Sequence, residues 1–397
     1  MTRIPSLAGA TLTLALALVL AAPASAAAPQ LPTQPMAPDE TGAIDAGIAT
    51  LLAAHPGIPA IYVGIWDPIR GAYQQAYGVA DPATGRAATT DDVFRIGSVS
   101  KTFTATVILQ LIDEGKLRLA DTVAIVLPEL AMAHPALASI TVEQLLGMTS
   151  GIPDYLNVPD AAIAAIAHDP STVWTLDQLI AYGADGAVSP PGTPGYSSTN
   201  YVVLQAIAEH LTGTPLRDLI AERATGPLGM TRTALPPDDD TTLPDPVAHG
   251  VLSPACVQEL QTDGAANVTV GTDTTDWNAS YGQGAGGMHS TIADLGVWAA
   301  SLSGTSLLSP ASAQARQTYR QIGLGPLTYG LGLIQFGDQV GHEGEAIGWE
   351  GWVGQHPATG RSAVVFTTSC ADSEVVFRAL AILDPAFAPT ARDTFGP

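Results

Sequence analysis

The sequence predicts an α/β protein of the α+β type, in which one sheet is built from both ends of the chain around a mainly helical insertion. Strand patterns occur over 61–79 and return over 330–368. Between them, apolar residues recur at steps of three and four, which is the spacing of a packed helix face. Strands at both ends with helices between them favour a sheet shared by the two termini. The 397 residues are long enough for two closely packed parts.

The first strands and the first long helix are clear from the pattern. Segments 61–66 and 74–79 are joined by a turn at 67–71, which predicts a hairpin. A helix is expected to start at or just before Ser98 and to stop at Gly115. Further helices are predicted over 141–146, 176–182, 202–211, 216–224, 291–298 and 375–383, and further strands over 330–336, 351–356 and 362–368. The Asp-, Thr-, Pro- and Gly-rich stretch 236–287 either covers the edge of an active site or caps the fold.

The start of the chain has the layout of a secretory signal peptide. Arg3 precedes an apolar run over 12–22, and the small residues 24–26 follow. We therefore expect cleavage near Ala26 and a secreted protein, extracellular or periplasmic. Cys256 and Cys370 would then meet an oxidising compartment, where a disulfide and two separately buried thiols are both open.

We predict four parts along the chain. They are a signal peptide over 1–26, a flexible lead-in over 27–40, a folded domain over 41–385 and a tail over 386–397. The sheet part of the domain comprises about 41–95 and 288–385, and its mainly helical or irregular part about 96–287. The lead-in is rich in Ala, Pro and Gln and shows no periodicity.

Composition excludes several classes of protein. Hydrophobic residues make up 46% and charged residues 13%, which favours a folded core over intrinsic disorder. The 37 acidic residues outnumber 15 basic ones, giving a formal charge of −22. This charge repels phosphate backbones and anionic lipids, so neither nucleic acid nor an acidic membrane surface is expected as a partner. The sequence leaves the oligomeric state open.

A serine and a lysine at the start of the first long helix form the strongest chemical pattern. Ser98 and Lys101 are three positions apart, so their side chains share one helix face about 5–6 Å apart. A helix N-terminus offers free backbone N–H groups and disfavours a protonated amine, and a neutral Lys101 could take the Ser98 proton. The chain holds two lysines, Lys101 and Lys116. The pattern predicts a serine nucleophile for acyl transfer.

Other hydrolase signatures are missing. The sequence has no G-x-S-x-G motif, which weakens an α/β-hydrolase fold. His342 and Glu343 begin like the zinc motif H-E-x-x-H, but Ala346 stands where the second histidine is needed. No metal and no cofactor are expected.

A series of segments resembles the penicillin-recognising serine hydrolases, which include D-Ala-D-Ala carboxypeptidases, class C β-lactamases, D-aminopeptidases and related esterases. The segments are YGVAD at 77–81, FRIGSVSK at 94–101, EGKL at 114–117, LLGMTSGIPDY at 145–155, YSSTNY at 196–201, PLGM at 227–230, AGGMHST at 285–291 and YGLG at 329–332. In order and approximate spacing they cover most of residues 60–370. The resemblance implies the β-lactamase/DD-peptidase fold, an antiparallel sheet flanked by helices with a mainly helical inserted domain.

The resemblance also implies an acyl-enzyme mechanism. Ser98 attacks a carbonyl, Lys101 helps to deprotonate it, and water later releases the acyl group. Tyr196 matches the tyrosine that shares general acid and base work with the lysine.

The family's third motif lies on a strand and is matched here by residues 342–344. His342 would supply a partial positive charge near neutral pH, and Gly344 would let the substrate lie against the strand. The backbone N–H of Glu345 would join that of Ser98 in an oxyanion hole.

Two departures from the family pattern affect the expected substrate. Where the family usually has Asn, two residues after the tyrosine, this chain has Ser198, so a substrate amide contact is shortened or passed to Asn200. Glu343 replaces a Thr whose hydroxyl binds the substrate carboxylate in related enzymes. Together with Glu345 it disfavours penicillins and peptides ending in D-Ala, unless its side chain points into solvent.

The sequence therefore predicts a secreted serine hydrolase that acts on a small molecule or peptide with an ester, amide or lactam bond. The alternatives within the family are a promiscuous esterase and a D-aminopeptidase-like amidase. A catalytically silent binding protein on the same scaffold is the alternative from another class. It need not keep Ser98, Lys101 and Tyr196 together, and all three are present.

Overall fold

The computed structural model describes residues 28–385, except 158–161, 263, 324 and 372. The predicted signal peptide and the predicted tail over 386–397 lie outside the described residues. Within the described part, no helix has the length and apolar character needed to cross a membrane.

The secondary structure mixes short and long elements. The described strands are β1 (Ala60–Asp67), β2 (Gly71–Asp81), β3 (Arg86–Ala87), β4 (Phe94–Arg95), β5 (His289–Ser290), β6 (Arg320–Gln321), β7 (Thr328–Tyr329), β8 (Ile334–Phe336), β9 (Gln339–Ala346), β10 (Trp349–His356) and β11 (Arg361–Thr367). The described α-helices are α1 (Pro38–Ala54), α2 (Ser100–Asp113), α3 (Val123–Val126), α4 (Pro128–Ala133), α5 (Val142–Leu146), α6 (Ala162–His168), α7 (Leu176–Ala184), α8 (Thr199–Thr212), α9 (Leu216–Ile220), α10 (Gly226–Leu228), α11 (Pro254–Thr262), α12 (Gln283–Gly286), α13 (Ile292–Ser301), α14 (Pro310–Arg316) and α15 (Ser373–Leu383).

One antiparallel sheet carries strands from both ends of the chain. Among the described residues, nine strands lie in the order β3-β2-β1-β11-β10-β9-β8-β7-β6. The N-terminal strand β1 pairs with the C-terminal strand β11, from Ile61 opposite Thr367 to Trp66 opposite Ser362. The predicted fold class, a sheet from both termini with a mainly helical insertion, is confirmed.

Helices cover the centre of the sheet on both faces. Every residue of β1 is buried, as expected for a strand with a packed layer on each side. Helices α1 and α15 pack together and contact the sheet, and α13 contacts β1, β10 and β11. The predicted cap of α13 is present, because the Thr291 side chain accepts a hydrogen bond from the Asp294 amide at 3.3 Å.

The N-terminal segment differs from the prediction. Helix α1 starts at Pro38, inside the stretch interpreted as a flexible lead-in. Just before it, the Met36 amide donates to the Ala72 carbonyl at 3.0 Å and thereby attaches the chain to β2. The helix buries Ile44, Ile48 and Leu51 among many Ala and Gly residues. So sparse an apolar face gives a weak sequence signal.

The predicted strand over 330–336 is shorter in the structure. It comprises Ile334–Phe336, because Gly332 has a φ of +82° that interrupts the extended backbone.

Candidate active site

Ser98 lies in a single turn that leads directly into α2. The turn spans Gly97–Val99, and α2 continues from Ser100. Gly97 has a φ of +49°, and a Cβ at this position would overlap the backbone amide and carbonyl of Glu345 on β9. Only glycine combines this conformation with so close an approach. The turn therefore holds Ser98 against the edge of β9.

The Lys101 amine lies one helical turn further on and contacts three oxygen atoms. Lys101 Nζ lies 2.8 Å from Ser98 Oγ, 3.2 Å from Ser198 Oγ and 2.9 Å from the Ala285 carbonyl oxygen. The side chain is 1% exposed. Burial lowers the pKa of Lys101 to about 8, while Asp154 and Glu343 oppose this shift. A lysine in this state can act as a base near neutral pH.

Tyr196 lies on the other side of the amine. Lys101 Nζ is 5.0 Å from the centre of the Tyr196 ring. The Tyr196 hydroxyl is buried and has no hydrogen-bond partner among the described residues. Burial and the Glu343 charge raise the pKa of Tyr196, and the neighbouring Ser98 hydroxyl opposes the shift. An unpaired buried hydroxyl next to Ser98 is available to a substrate atom.

The C-terminal part of β9, beyond its pairing with β8, provides a backbone N–H group next to Ser98. Ala346 and Trp349 flank a two-residue turn, so they form a hydrogen-bonded pair between β9 and β10. By alternation, the amide of Glu345 points away from β10. It points to the side where Gly97 approaches. Together with the amide of Ser98, in the first turn of its helix, it forms a candidate oxyanion hole.

The structure buries His342 behind the pocket wall, and His342 is not among the described residues that line the pocket. His342 is fully buried, and its Nε2 lies 2.9 Å from the Tyr329 hydroxyl. Its Nδ1 lies 2.6 Å from the Glu343 carbonyl, which can only accept, so Tyr329 donates to Nε2. Burial, with Lys101 adding to it, lowers the pKa of His342 to about 3. A neutral, buried imidazole does not supply the partial positive charge expected from the sequence.

Ser198 and Asn200 take different positions. Ser198 lines the pocket and contacts Lys101. Asn200 is fully buried behind it, where its Oδ1 accepts from Ser150 Oγ at 2.5 Å and its Nδ2 contacts Met148 Sδ at 3.4 Å. The structure therefore does not bring Asn200 to the pocket, so Asn200 cannot make the substrate contact that the sequence assigned to it as an alternative.

A pocket of about 220 Å³ opens in front of Ser98 and is strongly acidic. Asp154, Glu343 and Glu345 line it together with Tyr196. Glu343 thus faces the pocket, and the alternative in which it points into bulk solvent is wrong. Burial raises the pKa of Glu343 and of Asp154, and Lys101 opposes both shifts.

Glu345 extends the acidic wall. Its Oε1 accepts a hydrogen bond from the Ala371 amide at 3.1 Å. Desolvation in the pocket wall raises the pKa of Glu345, and the carboxylates of Glu350 and Glu259 raise it further. Because the Glu345 side chain is open to solvent in the pocket, desolvation is weak there and these like charges dominate. Gly344, between the two glutamates, packs against Ile96, where a Cβ would overlap the carbonyl.

The irregular stretch 236–287 forms one wall of the pocket. Cys256, Glu259 and Leu260 of α11 line it, and Tyr281 lies beside them. A disulfide joins Cys256 to Cys370, which decides between the two states left open by the sequence. Sequence reasoning assigned no role to α11 or to Asp154, although Asp154 lies in a quoted family segment. The stretch therefore covers the edge of the site.

Replacing Gly97 with alanine tests the oxyanion geometry. The added Cβ would overlap the Glu345 backbone, so either that backbone or the turn that carries Ser98 must move. We expect kcat/KM for an ester to fall by about 10²-fold or more, as for loss of an oxyanion donor. Gly85→Ala is the control, because Gly85 also has a positive φ and nothing lies near its Cβ. Equal loss in both variants would contradict the assignment.

Comparison with known proteins agrees with this geometry. The beta-lactamase family matches residues 46–386, which is most of the chain. The chain belongs to the beta-lactamase family. Among curated relatives, it is 38% identical over 193 residues to penicillin-binding protein 4 of Amycolatopsis lactamdurans, covering 48% of this chain and 47% of the relative. It is 32% identical over 169 residues to esterase EstB of Burkholderia gladioli, covering 40% and 42%.

A solved structure matches over a larger share. The D-stereospecific amidohydrolase from Streptomyces sp. has a TM-score of 0.74 and 28% identity, and the match covers 86% of this chain and 98% of that one. The chain spans about half the length of these two curated relatives. The chain therefore has the β-lactamase/DD-peptidase fold.

Proposed function

We propose that this beta-lactamase family member is a secreted amidohydrolase or esterase that prefers substrates with a cationic amine. The observation that carries the proposal is the orientation of Glu343, which faces the pocket beside Ser98. Asp154 and Glu345 line the same space, and the described pocket lining contains no Arg, Lys or His. Burial raises the pKa values of Glu343 and Asp154. A substrate ammonium group in the pocket would favour their ionised forms.

The proposed chemistry proceeds through an acyl-enzyme. Lys101, neutral, accepts the Ser98 proton while Ser98 Oγ bonds to the substrate carbonyl carbon. The negative charge that develops on the carbonyl oxygen is stabilised by the amides of Ser98 and Glu345. The proton then passes from Lys101, with Tyr196 beside it, to the leaving nitrogen or oxygen. A water molecule then attacks the acyl-enzyme carbonyl while Lys101 accepts its proton. The proton passes to Ser98 Oγ as the acid leaves, which restores Ser98.

Charge repulsion disfavours the family's carboxylate substrates. Penicillins and peptides ending in D-Ala carry a carboxylate close to the reacting carbonyl. In this pocket that group would face Glu343 in a partly desolvated site, where like charges repel more strongly than in water. Two similar proteins, a D-stereospecific amidohydrolase and an esterase, support an amide or ester substrate.

Apolar side chains complete the pocket and suggest the rest of the substrate. Leu156, Ile163, Leu260 and Ile347 line it next to the carboxylates. A hydrophobic amino acid amide or ester with a free amino group fits both surfaces. A neutral short-chain ester fits the apolar part alone and is the second candidate.

The proposal is tested with matched substrates. One is a hydrophobic amino acid ester with a free amino group, and the other is its N-acetylated form, which is neutral. We expect kcat/KM to favour the free amine by at least ~10-fold, equivalent to ~1.4 kcal/mol. Equal rates would instead favour a promiscuous esterase.

Intact-mass analysis after incubation with a fluorophosphonate, a penicillin and a short-chain ester identifies which of them acylates the protein. The same measurement on exported protein tests signal-peptide cleavage near Ala26.

Glu343→Thr should shift the preference toward carboxylate substrates. Removing the carboxylate removes the repulsion, so acylation by a penicillin or cleavage of a D-Ala-D-Ala peptide should rise by at least ~10-fold. A neutral ester should change much less, since it has no charge to repel. The ratio of the two rates in one preparation is measured, because it cancels errors in active fraction. An unchanged ratio would show that Glu343 does not face the substrate.

A further inference from the structure

Hydrogen-bond direction around Lys101 decides whether it can act as a base. A neutral lysine amine has two N–H donors and one lone pair. The Ala285 carbonyl can only accept, so it uses one N–H group. One N–H group and the lone pair remain for Ser98 and Ser198. Each hydroxyl could either donate to the lone pair or accept from the N–H group. Catalysis requires the lone pair to face Ser98, so Ser198 must be the acceptor.

Asp154 determines the direction at Ser198. Asp154 Oδ2 accepts a hydrogen bond from Ser198 Oγ at 3.3 Å. A serine hydroxyl has one proton, and a carboxylate can only accept. With its proton directed to Asp154, Ser198 presents a lone pair to Lys101 and accepts one of its N–H groups. The lone pair of the neutral amine is then left for Ser98.

The loop that carries Asp154 is firmly attached to the start of α8. The Pro153 carbonyl accepts from Ser197 Oγ at 3.1 Å and from Thr199 Oγ1 at 2.7 Å. The Tyr155 amide donates to Thr199 Oγ1 at 3.1 Å, and the Leu156 amide donates to Asp154 Oδ1 at 3.1 Å. Ser198 lies within this attached segment and is 3% exposed. These bonds keep the Asp154 carboxylate and the Ser198 hydroxyl close to each other.

We propose that Asp154 is a positioning residue that acts through Ser198 to direct the lone pair of Lys101 toward Ser98. The inference rests on the proposed roles of Ser98 and Lys101. Glu343 differs from Asp154, because it faces the same pocket but makes no hydrogen bond to Ser198 among the described residues.

Asp154 also influences the charge of Lys101. The groups that face the amine are the carboxylates of Asp154 and Glu343, the neutral His342 and the rings of Tyr196 and Tyr201. Removing the Asp154 charge removes a group that favours the ammonium form. The pH at which Lys101 becomes neutral should then fall, and the acid limb of the pH profile should move to lower pH.

A double-mutant cycle tests the proposal. Asp154→Ala, Ser198→Ala and the double variant are compared with wild type on a neutral ester, with kcat/KM measured from pH 5 to 10. In Asp154→Ala the Ser198 hydroxyl is free to donate to Lys101, so the plateau kcat/KM should fall by at least ~10-fold. The acid limb of the pH profile should also shift to lower pH by about half a pH unit or more. In the Ser198→Ala background no hydroxyl competes, so Asp154→Ala should change the plateau less than about 3-fold.

Several outcomes would overturn the proposal. A plateau unchanged in Asp154→Ala would exclude a positioning role, and an equal loss in both backgrounds would show that Asp154 acts independently of Ser198. Asp154→Asn provides a second variant, because its amide oxygen can still accept from Ser198 and should keep most of the plateau. Thermal unfolding confirms that each variant is folded, with the exposed Asp239→Asn as control. Fluorophosphonate labelling that does not map to Ser98 in the wild type would contradict the proposed function itself.

Discussion

Replacing Ser98 with alanine should abolish covalent labelling by a fluorophosphonate and lower ester hydrolysis by about 10⁴-fold or more. Ser98 Oγ is the hydroxyl that both lines the pocket and lies 2.8 Å from the Lys101 amine. Without it no acyl-enzyme can form. Lys101 keeps its contacts to Ser198 and the Ala285 carbonyl, so the thermal midpoint should change little. The measurements are intact mass after labelling, steady-state kinetics and thermal unfolding.

Ser100→Ala is the matched control for this experiment. Ser100 lies two residues further along the same segment, but its hydroxyl donates to the Gly97 carbonyl at 2.7 Å and accepts from the Met288 amide at 3.2 Å. Its loss leaves a buried amide without an acceptor and should cost about 1–3 kcal/mol of stability. Labelling should be retained. Comparable ester turnover in Ser98→Ala and wild type would show that the nucleophile is another residue.

The proximity of Ser98 and Lys101 could be predicted because it depends on local spacing. Ser98 and Lys101 are three positions apart on one helix, so any helix at this point brings their side chains together. The orientation of Glu343 follows from strand alternation on β9 only once the edge of that strand is known. The sequence therefore left two orientations open, and the packing of β9 against the Ser98 turn decides between them.

The charge of His342 and the role of Asp154 could not be predicted, because both depend on distant parts of the chain. His342 is neutral because it is buried beside Tyr329 and near Lys101, which come from separate elements. Asp154 reaches Lys101 through Ser198, which lies 44 residues further along the chain. Helix α11 reaches the pocket through contacts that no periodicity encodes. Local patterns thus specify the contact between Ser98 and Lys101, and long-range packing specifies its electrostatic surroundings.

Lys101→Arg should lose activity almost as completely as Lys101→Ala, by about 10³-fold, if the amine acts as a proton acceptor. Arginine keeps the positive charge, but its pKa above ~12 leaves it without a lone pair to offer Ser98. Its N–H groups can still donate to Ser198 and to the Ala285 carbonyl, so the variant keeps the charge and two contacts. Lys116→Arg is the control, since Lys116 is half exposed and pairs with Glu114 at 2.8 Å.

The pH dependence of the wild type tests the same assignment independently of mutation. Because burial lowers the pKa of Lys101 to about 8, the neutral amine is the minor form at pH 7. For a neutral ester, kcat/KM should therefore rise about tenfold per pH unit on the acid side and level off above the pKa. Lys101→Arg should show no such limb. If the Arg variant kept most of the activity and a flat profile, the positive charge alone would be required and Lys101 would not be the base.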